Sequence, residues 1–141
     1  MPPRKKQQIE KEIESVFPIA KNSCFISENS YNLLYSEWEK TKNTKEAIVE
    51  WFIKMKLASL PNFKASILKC NKQIAIKQID RILSYGESIE MIISILYYSC
   101  IDDFWAKNLF SVSQLTHSNP NKAMKYEYIK NNLEGYIKNG Q

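Results

Sequence analysis

Residues 79–115 read IDRILSYGESIEMIISILYYSCIDDFWAKNLFSVSQL, and this stretch decides the fold. Ile79, Ile82 and Leu83 fall on one face of a first helix, and Ile89, Ile92, Ile93 and Leu96 line a second. Between them Gly86 suits the left-handed position that ends a helix, because it has no Cβ to clash. Ser88 is placed to cap the second helix, with Glu90 favourably set in its first turn. Asp102 or Asp103 can cap a third, short helix carrying Phe104, Trp105 and Leu109, and Ser111 or Ser113 can start a fourth.

Working outward, the same helical spacing recurs and strand-like alternation does not. Ile9, Ile13 and Val16 predict a short helix that Pro18 ends. Tyr31, Leu34, Tyr35 and Trp38 predict a helix opening at Ser27 or Asn29. A polar break at Thr41–Asn43 follows, and Thr44 can cap a helix with Ile48, Phe52 and Met55 on one face and Trp51 beside them. Pro61 breaks the chain again; Phe63–Cys70 suits either a short helix or an extended segment. The helical pattern resumes from Asn71. After the break at Thr116–Pro120, a last helix is expected from about Asn121 to Ile137. The expected architecture is all-α: one compact domain of six to seven helices. Residues 1–8 form a flexible basic arm, 9–60 the N-terminal helices, and 61–138 a helical region packed against them.

The 141 residues suffice for one buried core, and 44% hydrophobic with 25% charged residues is ordinary globular composition. Net charge is +5 and the pI about 9.0, yet Arg4 and Arg81 are the only arginines among 20 basic residues. Lysine lacks arginine's bidentate fork, so this surface suits nonspecific attraction to phosphates or plain solvation. Cys24, Cys70 and Cys100 lack metal-ligand spacing and suit a reducing compartment. Basic Met1–Lys6 is not followed by an apolar run, and Ile89–Ile101 is too short to span a bilayer. A cytoplasmic protein without membrane association is expected.

Catalytic groups are sparse. His117 is the single histidine and lies in a polar loop, and no Gly-rich phosphate loop or nucleophile elbow occurs. Neighbouring Asp102 and Asp103 point different ways on a helix entry, so capping explains them better than a shared proton or metal. No enzyme, cofactor or metal is expected. A helix-turn-helix reader is excluded too, because the helix after Gly86 offers no basic side chain to base edges.

At Asp103-Phe104-Trp105 the order of elements resembles the helical C-terminal region of phage and prophage replication proteins, the replication protein O-like and DnaD-like initiators and helicase loaders. Pro61-Asn62-Phe63, Ile79-Asp80-Arg81-Ile82-Leu83, Gly86-Glu87-Ser88, Asp103-Phe104-Trp105, Asn108 and Ser111 to Leu115 carry it, over roughly residues 61–128. Ala75, Val112 and Thr116 stand where that pattern commonly has tryptophan, proline and arginine. The preceding sixty residues are too short and too helical for the winged-helix domain that region normally follows.

The resemblance implies a noncatalytic accessory or adaptor protein in phage- or plasmid-type DNA replication. Its partner would be a replicative helicase or initiator protein, with weak single-stranded DNA contact and a homo-oligomer both admitted. Phe104 and Trp105 would fix the hairpin. Exposed Lys69, Lys72, Lys77 and Lys107, with the Arg4-Lys5-Lys6 arm, would meet nucleic acid. The competing reading is a host-directed inhibitor or other protein-interaction module of a mobile element. An exposed patch at Trp51, Tyr97 or Tyr98 would favour it.

Overall fold

Helix ends in this chain are set by short polar side chains. In a computed structural model, residues 17–139 are described; the expected N-terminal arm and the helix proposed from Ile9 lie outside them, save Phe17. Helix α1 (Glu28–Thr41) opens at Ser27, whose hydroxyl accepts from Ser30 N–H at 3.2 Å. Helix α2 (Thr44–Ser59) is capped by Asn43, not Thr44: the Asn43 amide oxygen accepts from Glu46 N–H at 3.0 Å, which makes Thr44 the first helical residue. Pro61–Phe63 forms a 3-10 turn leading into the short α3 (Lys64–Leu68), which resolves the ambiguous segment as helical. Asn71 caps α4 (Lys72–Ser84), Ser88 caps α5 (Ile89–Ile101) and Asp102 caps α6 (Asp103–Ala106). Gly86 between α4 and α5 has φ +98°, the left-handed region that glycine enters without strain.

Two C-terminal expectations are corrected. Ser111 begins a 3-10 turn (Val112–Thr116) and no α-helix. The last helix, α7 (Lys125–Lys138), starts later than Asn121. Asn121 is itself left-handed at φ 63°, and Lys122 N–H closes a turn onto Asn119 O at 3.0 Å. Glu127 then accepts from Met124 N–H at 3.0 Å, fixing the start of α7.

The described residues form one all-α packed body of seven α-helices without strands. Helices α2 and α5 are its centre. Ile48, Trp51 and Phe52 of α2 and Ile93 and Leu96 of α5 are fully buried. The α1–α2 hairpin packs together, α4 covers α2 and the Val112–Thr116 turn, and α7 lies on α5. Phe17 sets its ring 5.5–5.7 Å from those of Tyr31, Tyr35 and Trp38, so apolar burial runs from the start of the described chain to Leu133 of α7. No described helix is long and apolar enough to cross a membrane. The exposed patch at Trp51, Tyr97 or Tyr98 that would favour the competing reading is not there: Trp51 and Tyr98 are core residues and Tyr97 is half-buried.

Two charges lie inside this body. Glu37 is buried on α1 and is reached by Lys54 at 2.8 Å and Lys40 at 3.2 Å. Burial raises its carboxyl, but the two lysine hydrogen bonds outweigh that and hold it below the usual range. Lys56 is fully buried on α2, on the register of Ile48 and Phe52. Its ammonium donates to Ser99 O (3.0 Å), Trp105 O (3.3 Å) and Ala106 O (2.9 Å). These carbonyls belong to the final turns of α5 and α6, where intrahelical donors run out and the macrodipole favours a cation. Phe110 N–H, which would continue the ladder onto Ala106 O, instead donates to Gln114 Oε1 at 2.8 Å, leaving Ala106 O to the ammonium.

Lys56→Met keeps the bulk but strands those carbonyls, and should cost about 2–4 kcal/mol of unfolding free energy by urea titration. Burial lowers the Lys56 ammonium from 10.5 to about 8, with Cys100 opposing. Above pH 8 the unfolded chain therefore holds the proton that the folded chain releases, and stability from this group rises with pH. The gap between wild type and Lys56→Met should widen by about 1 kcal/mol from pH 7 to pH 9.

Candidate functional site

The C-terminal loop gathers cations that the sequence scatters. Thr116 Oγ1 donates to Gln78 Oε1 at 2.7 Å, holding the 3-10 turn against α4. Arg81, about one helical turn further along α4, thereby comes to line a cavity with His117. Lys125 N–H donates to His117 O at 3.0 Å, which sets the first turn of α7 against the same loop. The resulting open cavity, about 780 Å³, is walled by Arg81 from α4, Thr116–Asn119 and Lys122–Ala123 from the loop, and Lys125 and Tyr128 from α7. No carboxylate lines it.

Carboxylates on the flanking elements have other partners. Asp80 pairs with Lys45, Glu87 with Lys130 at 2.9 Å, and Glu127 holds the Met124 amide. Arg81 donates its Nε–H to Tyr85 OH at 2.7 Å and pairs with no described acid. Lys125 reaches Asn108 O at 3.4 Å. The pocket is electropositive by construction, with hydroxyl and amide groups from Ser118 and Asn119 added.

The lysines singled out from sequence are all exposed, and none lines this cavity. Lys69 follows α3, and Lys72, at the start of α4, is paired with Glu50. Lys77 precedes Arg81 by four residues on α4 and so shares its face. Lys107 adjoins Asn108, the residue that Lys125 touches. Lys77 therefore lies one turn from Arg81 on α4, whereas Lys72 opens that helix at its far end and Lys69 precedes it. Arg4, Lys5 and Lys6 lie outside the described residues.

The motif residues divide in the same way. Trp105 is buried, and its indole N–H donates to Asn132 Oδ1 on α7 at 2.9 Å; Leu115 is buried; Ser111 caps the 3-10 turn. Asp103 and Asn108 are exposed, and Asn108 Nδ2 caps Phe104 O at 2.6 Å. Phe104 is 61% exposed, lying edge-on to Trp105 rather than inside the hairpin. It forms one wall of a second, shallower groove of about 550 Å³ between α6 and α7, with Tyr98, Asn132 and Tyr136.

Sequence reasoning missed the pocket because its cations come from residues 81 and 122–125, and it read His117 as a solvated loop residue. Among the described residues no cluster of three or more His, Cys, Asp or Glu could hold a metal. Compared with known proteins, the chain matches no family model, no curated sequence and no solved structure.

The three thiols are unbridged and half-buried. Burial pushes Cys24 up to about 12 and Cys100 to about 11, and also raises Cys70. At pH 8 the thiolate fractions of Cys24 and Cys100 should be so low that these two thiols react with a thiol reagent on the order of a hundredfold or more slower in the folded protein than in urea. Absorbance of the released thiol-reagent anion measures both rates.

Proposed function

We propose that this chain is a noncatalytic accessory protein of phage- or plasmid-type DNA replication, partnered with a replicative helicase or initiator, that meets nucleic acid through the His117 pocket and the lysines beside it. The single observation that carries the nucleic-acid part is a cavity with arginine and two lysines from three parts of the chain and no carboxylate in its lining. Elsewhere the protein pairs cations with acids, as at Lys45, Lys54, Lys72 and Lys130. An unneutralised basic concavity attracts polyanions, and Tyr128, 46% exposed at its rim, offers a face on which a base can stack. The replication role itself rests on the resemblance over residues 61–128.

A second reading has its own observation. Phe104 and Tyr136 are both exposed at the α6–α7 groove, and contiguous apolar exposure is the mark of a protein interface. A host-directed interaction module would use that face.

Anisotropy of labelled single-stranded and duplex DNA separates the two. Raising salt from about 50 mM to about 200 mM should weaken binding by roughly tenfold or more, as release of counterions from a few phosphates requires. Lys77→Glu with Lys122→Glu should abolish binding, while Lys69→Glu, equal per site in charge change but remote from the pocket, should spare most of it. Failure to bind either DNA at low salt removes nucleic acid as a ligand and leaves the aromatic groove as the working surface.

A further inference from the structure

We infer that the His117 pocket is a receptor for the terminal phosphate of a single nucleic-acid strand, and not a stretch of track for internal phosphates. The inference rests on the nucleic-acid reading above and narrows its ligand. Arg81, Lys122 and Lys125 enter one concavity from α4, the loop and α7, with no acid among the lining residues to neutralise them. An internal phosphodiester carries one negative charge, whereas a terminal phosphomonoester carries about −1.5 to −2 near neutral pH, with more acceptor oxygens. Three cations on one cavity match the second better than the first.

One further feature agrees with an end-on ligand. Tyr128, one turn into α7, stands at the rim where the terminal base would stack. Arg81 Nε–H is engaged by Tyr85 OH, so a phosphate would meet its terminal guanidinium nitrogens.

The test uses the full chain and short oligothymidine strands carrying a 5′-phosphate, a 3′-phosphate or hydroxyls at both ends, with the label placed away from the modified end. One phosphorylated strand should bind about fivefold tighter than the unphosphorylated one at constant ionic strength. Which end is preferred identifies the source of the phosphate. Arg81→Ala and Lys122→Ala change exposed side chains, so helicity by circular dichroism should hold, and each should erase the preference. Inorganic phosphate should compete at the phosphorylated strand more than at the unphosphorylated one. Equal affinity for all strands overturns this inference while leaving DNA contact standing. A preference that survives in both variants overturns it as well, by moving the end to another surface. No binding of any strand overturns the nucleic-acid reading with it.

Discussion

The ammonium of Lys56 and the carbonyls it satisfies hold the two halves of this protein together. An unpaired buried charge would be intolerable, and a buried helix end without partners costs a further few kcal/mol. Placed against Ser99, Trp105 and Ala106, each problem answers the other. Beyond those carbonyls α6 ends after one turn, and the chain turns through Asn108 to bury Leu109. That turn presents Asn108 O to Lys125 at the edge of the basic pocket. A lysine from the first half of the chain thus caps the short helix that leads into a surface made entirely by the second.

Charge is distributed with the same economy. Glu37 joins α1 to α2 through Lys54, Glu50 and Asp80 join α2 to α4, and Glu87 joins the α4–α5 turn to α7. These pairs are modest contributors to stability where exposed, but they decide where positive charge is left over. Exposed Lys69, Lys77 and Lys107 pair with no described acid, and the His117 pocket adds Arg81, Lys122 and Lys125 with no carboxylate in its lining. The net excess of +5 is therefore a poor description of the surface: its location matters more than its size.

Much of the fold was legible because helix boundaries here follow local chemistry. Ser27, Asn71, Ser88 and Asp102 cap the helices that their side chains announce, and Gly86 turns left-handed as its place requires. Spacing left Ser27 or Asn29 and Asp102 or Asp103 open, and it gave to Thr44 a cap that Asn43 supplies; Asn121, expected to start a helix, entered a turn instead. Lys56 was illegible for a different reason. Its position on the face of Ile48 and Phe52 points inward, but a lysine there is expected to snorkel, and the carbonyls awaiting it lie more than forty residues away. The site was hidden in the same manner. Arg81 stood out only as a rare arginine and His117 as a lone loop residue; their meeting depends on Gln78 holding Thr116, a contact with no signature in spacing.

The bond between the Trp105 indole and Asn132 gives the protein an optical property. Asn132 and Phe104 line the α6–α7 groove, and Trp105 touches both, whereas Trp38 and Trp51 belong to the α1–α2 hairpin and line neither cavity. Indole emission responds to loss of a hydrogen bond and to the polarity of its surroundings. Trp105 is therefore a native fluorophore wired to the aromatic groove, while the basic pocket contains no tryptophan in its lining. Occupancy of one surface would be visible in the protein's own light and occupancy of the other dark, so the molecule carries a built-in means of telling which face a partner has taken.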